Sequence, residues 1–396
     1  MPEGQREAWI TGIGIVSCLG EGPDAHWQRL CKAKPSADTT TFAPYVVHPI
    51  VPIEFDKQIP KKGDQRQMEP WQRIGTYAAG LALESAGAKG QADLLSRMDM
   101  IVAAGGGERD LAVDGAILTG LPRAANPDAY LNERLMSDLR PTLFLAQLSN
   151  LLAGNISIVH GVVGSSRTFM GEEAAGVDAV RIGLSRIAAG QSDIVLVGGA
   201  HNGERKDLLM LYEFGGFPLK GNYAPVWERG PQGGLALGSL GAFLIIEERS
   251  HAEARGAKPL ARLTAVLSDR SRRKPGDVKA SLERMWQKLP LRPTDMATIS
   301  GATGAEPATT EERSFLTDHS DIPVRSTGSH LGHAFEPQFP MNVALAAIAV
   351  NRGSLFPPVG GGAGIERSMN GKVTQAVVTA VGHWRGEGLA LVEAIE

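Results

Sequence analysis

The chain has 396 residues, 43% hydrophobic and 21% charged, with a formal net charge of −3 and a pI near 6.3. That balance describes a folded globular protein long enough for two or three domains, and it argues against nucleic acid as a partner. Two cysteines, Cys18 and Cys31, exclude a disulfide framework, and no apolar run reaches the roughly 18 residues of a membrane span. The first ten residues lack a basic stretch followed by an apolar one, so no export signal and a cytoplasmic location are expected.

Ala8–Ser17 (AWITGIGIVS) reads as an opening strand. Residues 18–34 read as a turn and short helix with Asp24 as N-cap. Residues 35–60, rich in Pro and Thr, read as loop, residues 65–84 as one helix, and residues 98–107 as a strand running into glycines.

From Gly161 to Ala200 the pattern is denser. Gly164-Ser165-Ser166 is turn chemistry, and Thr168-Phe169-Met170 is a short β-prone run. After it Val177, Val180, Leu184 and Ile187 recur at helical steps. Glu172 and Glu173 open this helix, where negative charge suits the macrodipole, and Gly190 closes it. Residues 193–200 (DIVLVGGA) read as a buried parallel strand. Residues 201–230 are loop-rich, and residues 238–248 predict a turn and strand.

Two internal echoes stand in the same order. Residues 101–105 (IVAAG) echo 297–301 (ATISG), and 241–247 (GAFLIIE) echo 388–393 (GLALVE). They predict a duplicated α/β architecture, residues 1–250 and 251–396, with a mostly parallel sheet in each half.

Residues 161–200 resemble the nucleophile segment of the β-ketoacyl-acyl carrier protein synthases, condensing enzymes of the thiolase fold. That segment reads roughly G-P-S-x-S-x-x-T-A-C-A-S-G, then a buried helix, then G-x-A-D-x-x-x-x-G-G-A. The opening strand resembles the family's V-x-I-T-G-x-G, and residues 65–84 its long helix after K-x-Q-R-x-M-D. Residues 140–160 and 248–259 resemble the helix before the nucleophile strand and the helix between halves. The resemblance covers nearly the whole chain and implies an α/β, thiolase-like fold with two similar halves in five αβαβα layers.

The chemistry of that family needs a cysteine thiolate, two histidines and an oxyanion hole. Counted without a gap from Gly164 and Gly190, the cysteine position falls on Glu173. The motif N-A-H-G-T-x-T-x-x-G-D is matched by residues 300–310, with Ala302 for histidine and Thr310 for the acid. The motif K-x-x-x-G-H-x-x-G-A-A-G is matched by residues 324–335. Here Val324 replaces the lysine and Ser329 the histidine, and His330 is a possible substitute one residue on. The closing G-F-G-G-x-N is degenerate, with His383, Trp384 and Arg385 in a loop that should be small and mobile.

A carboxylate cannot hold a stable thioester. Glu173 either stoppers a pocket or fills the vacated site against helix N–H groups. The resemblance therefore implies a synthase homologue without its Cys-His-His set, similar to a chain-length factor pairing with an intact synthase in fatty-acyl or polyketide assembly. Phe169 and Met170 would then line the acyl tunnel or the dimer interface. Lys61, Lys62 and Arg66 would dock the acyl carrier protein, or simply form a solvated face. A divergent acyltransferase or decarboxylase acting on carrier-bound acyl or malonyl groups is the catalytic alternative, and a homodimeric acyl-binding scaffold is the third.

Other features carry plainer readings. His330 and His333 could sit on one helical turn but lack a third ligand, so neither a metal nor a cofactor is expected. The glycine runs at 105–110 and 359–363 lack phosphate-loop spacing. Asp178 and Arg181 read as a structural pair, and Cys18 as buried and inert.

Overall fold

The computed structural model describes residues 6–140, 143–144, 147–292, 295–360, 364–369 and 371–395. Its main strands are β1 (Ala8–Ser17), β2 (Asp99–Ala103), β3 (Ser166–Phe169), β4 (Ile194–His201) and β5 (Leu240–Glu248). Then follow β6 (Ala261–Asp269), β7 (Met296–Ser300), β8 (Val324–Ser326), β9 (Gln375–Val381) and β10 (Glu387–Glu393). The main sheet runs β8-β7-β9-β10-β6-β1-β5-β4-β2-β3. Read outward from the central β1–β6 pair, each side has the same connectivity and the same strand directions. The paired echoes fall at equivalent places, on β2 and β7 and on β5 and β10.

Helices complete five layers. They are α1 (Pro70–Ser85), α2 (Leu151–His160), α3 (Glu172–Ala188), α4 (Lys206–Phe214), α5 (Asp277–Trp286), α6 (Ala308–Asp318) and α7 (Gln338–Arg352). Strand alternation shows how the layers form. On β4, Val195 and Val197 point to the central cluster with Val177 and Val180 of α3, while Ile194 and Leu196 join Ile74 and Leu83 of α1. On β10, Ala390 and Val392 face that same central cluster, while Leu389 and Leu391 pack with Leu282 of α5 and Phe315 of α6. The helices α3 and α7 thus lie between the two sides of the sheet, and α1 and α5–α6 cover the outer faces.

The opening strand and the helix beginning at Glu172 lie where the pattern put them. Other elements differ. The expected helix 65–84 is two helices, Lys62–Gln67 and α1. Pro70 drives Glu69 into extended backbone, and Gln72 Oε1 accepts the Glu69 N–H at 3.0 Å, which starts a new helix. Asp24 lies inside the first turn of the helix Gly22–Leu30, and Glu21 is the N-cap. The loop 35–60 contributes Val47–His48, paired in parallel with Leu237–Gly238. The regular helix within 140–160 is α2, and residues 141–142 and 145–146 lie outside the described residues, as do 361–363 of the second glycine run.

Neither side of the sheet is mostly parallel. The pairs β2·β3 and β2·β4 are parallel, but β4·β5 and β5·β1 are antiparallel, and the second side repeats this. Between β9 and β10 the reason is length: a turn closed by Gly382 N–H to Gly386 O at 2.9 Å leaves no room for a crossover helix.

Helix α1 lies directly on β1. A Cβ at Gly14 would stand 2.0 Å from the Ala78 carbonyl oxygen and 2.3 Å from Ala82 N, both backbone atoms that cannot swing aside. Gly14→Ala is expected to cost about 1–3 kcal/mol as overpacking. A denaturant midpoint equal to that of the unaltered chain would contradict this packing.

Candidate functional site

A sharp strand-to-helix corner presents Glu173. After β3, Gly171 has φ +132 and Glu172, the first residue of α3, has φ +59, a left-handed conformation that non-glycine residues adopt at some cost. Glu173 is 4% exposed. Its Oε1 accepts from His333 Nε2 at 2.7 Å, His383 Nδ1 at 2.9 Å and the His383 backbone N–H at 3.1 Å. Oε2 has no hydrogen-bond partner among the described residues. The two imidazoles come from the loop before α7 and from the β9–β10 turn, so the site joins three distant parts of the sequence.

The charges settle accordingly. Burial opposes ionisation of Glu173, but the donors from His333 and His383 outweigh it and hold the carboxyl well below the usual range. Burial also lowers His333, against the pull of Glu173, with charge on His383 and His201 acting the same way as burial. His383 is also penalised by burial, yet Glu173 and Glu172 raise it above the ordinary histidine value. One carboxylate, one neutral imidazole (His333) and one readily protonated imidazole (His383) share this pocket.

Aromatic rings enclose them. The Phe335 ring lies 4.7 Å from His333, 5.3 Å from His383 and 5.2 Å from His201, and stacks on Tyr212 at 4.7 Å. Phe217 closes against His383 at 5.1 Å. On its remaining side His383 lines a cleft of about 530 Å³ with Arg270, Arg272, Arg273, Trp384 and Arg385. Arg273 pairs with Glu387 at 3.0 Å, whereas the Arg270 and Arg272 side chains make no ion pair among the described residues.

The positions singled out in the sequence separate. Ala302 is buried. Ser329 Oγ accepts the Val226 N–H at 2.9 Å and bonds Ser326 at 3.1 Å. His330 turns away from Glu173 to pack edge-on against Phe356 at 5.7 Å. His330 and His333 do not face one site: the helix Gly328–Leu331 ends between them, at Gly332. Phe169 packs half-buried against the central core. Met170 is exposed and lines a cavity of about 520 Å³ beside Arg270 and Arg385. Lys61 and Arg66 are exposed, and Lys62 pairs with Asp56 at 2.5 Å. Asp178 and Arg181 do pair, at 3.0 Å. Cys18 is buried, and burial pushes its thiol up to about 12.

Sequence reasoning missed His333 and His383. Both stood in motifs already aligned, His333 directly after Gly332 and His383 at the phenylalanine of G-F-G-G-x-N. The signal was an imidazole in each of those two motifs. Ligand-type side chains also gather here, because Glu172, Glu173 and His383 each offer a ligand atom within 4.8 Å of the others.

The repeated strand order, the layered helices and the strained corner before a buried helix define a thiolase-like α/β scaffold. The chain belongs to the β-ketoacyl synthase family: the model of that family's N-terminal domain matches residues 5–219. It is 25% identical over 272 residues to 3-oxoacyl-acyl-carrier-protein synthase 2 of Vibrio cholerae, an alignment covering 64% of this chain and 61% of that one. The chain thus spans about three fifths of the length of the curated relatives it matches first. The ishigamide ketosynthase/chain length factor superposes with a TM-score of 0.81 at 18% identity, covering 99% of this chain and all of the other. A β-ketoacyl synthase from Burkholderia phymatum gives 0.77 at 17%, with the same coverage. No helix among the described residues is long and apolar enough to cross a membrane.

Proposed function

We propose that this chain is a non-condensing β-ketoacyl synthase homologue that works in fatty-acyl or polyketide assembly as the chain-length-factor-like partner of an intact synthase. One observation carries the reading. The side chain at the nucleophile position is a carboxylate that holds three N–H donors on a single oxygen, so donors that would serve a reacting carbonyl are already engaged. Residues 1–250 and 251–396 form the two halves of this cytoplasmic subunit. Its open edge strand β3, with exposed Val163 and Met170 flanking it and Ile158 on α2, suits a second synthase-like chain. The pairing of ketosynthase with chain length factor in the ishigamide protein supports the reading. Acyl carrier protein, being acidic, would meet either the arginines of the cleft, which stand beside Glu306 and Glu311, or Lys61, Lys62 and Arg66.

Native mass spectrometry of the tagged protein from its own cells tests the pairing. A one-to-one complex with a cysteine-bearing synthase is expected, and recovery only as a homodimer would overturn it. Within the complex, Phe169→Ala is expected to lengthen the acyl product. Unchanged length would remove Phe169 from the tunnel.

A further inference from the structure

The Glu173–His383 contact leaves one atom unused. His383 donates Nδ1–H to Glu173, which fixes the tautomer and leaves Nε2 as the basic nitrogen. Among the described residues no hydrogen bond engages Nε2. Glu172 Oε1 stands 3.9 Å away, beyond direct bonding distance but within reach through a shared water. His383 lines the cleft together with Arg270, Arg272, Arg273 and Arg385 and with the carboxylates Glu306 and Glu311. Arg273 is paired with Glu387, and Arg385 stands 3.9 Å from Glu172. A carboxylate that orients an imidazole lining a cleft with four arginines and two glutamates is an arrangement that can turn water into a nucleophile.

We propose that His383 is a general base, positioned by Glu173, that hydrolyses acyl thioesters carrying an anionic, phosphate-bearing handle. Nε2 takes a proton from water as the water oxygen bonds to the thioester carbonyl carbon, and the carbonyl electrons move onto oxygen. Guanidinium groups of the cleft stabilise that oxyanion. When the carbonyl re-forms, the C–S bond breaks and the sulfur leaves with the proton held at Nε2. The products are a carboxylic acid and a thiol, with no redox partner required. His383 is the catalytic residue, since it touches the reacting water. Glu173 acts through it, and Arg272 holds the handle.

The choice of a thioester rests on the function proposed above, whereas the base and the cationic cleft do not. The two readings fail separately, because pairing is read by mass and hydrolysis by thiol release. The probe is acetyl-CoA, with free thiol measured on the purified protein in the oligomeric form it adopts. His383→Gln is expected to lower kcat/KM at least about 100-fold. Arg272→Ala, at an exposed position, is expected to raise KM about tenfold, the loss of one charge-assisted contact. The pH profile separates orientation from mere packing. The groups facing His383 are Glu172 and Glu173 of α3, Tyr212 of α4, Arg273 after β6 and His333 before α7. Of these the carboxylate of Glu173 raises the imidazole most. Activity should therefore climb as pH rises through a value above ordinary histidine, and Glu173→Gln should move that limb to lower pH while reducing kcat. Thiol release no faster than in buffer overturns the proposal, as does a rate untouched by His383→Gln. If that variant does not fold, a rate in the unaltered protein that follows hydroxide alone, or a KM unmoved in Arg272→Ala, overturns it equally.

Discussion

Glu173→Ala is expected to lower the apparent Tm by roughly 4–6 °C. The substitution leaves two imidazole N–H groups and a backbone N–H facing an empty space inside the fold. Removing one member of a buried ion-paired network costs about 3–5 kcal/mol, more than the members gain by being together. Unfolding entropy of about 2.1 cal/mol/K per residue, over a chain of this length, turns that cost into only a few degrees. Glu173→Gln keeps an acceptor oxygen and should lose about half as much. Differential scanning fluorimetry on the three proteins settles the order. An alanine variant at least as stable as the parent would mean that the carboxylate is held at the expense of stability, as groups kept for chemistry are.

Acid should unfold this protein well above the carboxylate range. Burial lowers His26, His160 and His330 to about 4 and His48 to about 3, with the Arg229 charge adding to the effect at His48. His26 shows why the neutral form is built in: Nδ1 donates to Gly22 O at 2.8 Å and Nε2 accepts from Ser17 Oγ at 2.8 Å. An unfolded histidine titrates near 6.5, so below that pH the unfolded chain binds protons the fold refuses. Stability is then complete above about pH 6.5 and falls as pH drops toward the folded values, by about 1.4 kcal/mol per histidine per unit. At pH 5 the four together remove about 8 kcal/mol, comparable to the whole stability of a typical domain. Tryptophan fluorescence followed against pH should show a cooperative transition near pH 5. A midpoint near pH 3 would mean that these rings are not held neutral, and His160→Gln should move the midpoint to lower pH.

Much of the fold could be read from the sequence because it depends on local patterns. Ala8–Ser17 and the helix after Glu172 follow from apolar periodicity, and the duplicated order from two short echoes. Strand direction was less legible. The antiparallel return of β10 depends on a turn at Gly382–Gly386, which periodicity does not register. The site was half legible. Counting along a motif singled out Glu173, which the fold buries at the centre of the cluster, yet the same counting fixed attention on Ala302 and Ser329, which lie outside it. His333 and His383 lie 160 and 210 residues from Glu173. Only the shared layer of α3 and α7 brings those loops to one carboxylate. Contacts of that span have no sequence signature beyond the residue types themselves.

The duplicated topology has a further consequence for how this site is kept. Glu173 enters from the first repeat, and both imidazoles enter from the second, so neither repeat holds the cluster by itself. The cluster lasts only while the two repeats stay in register across a seam that both must maintain.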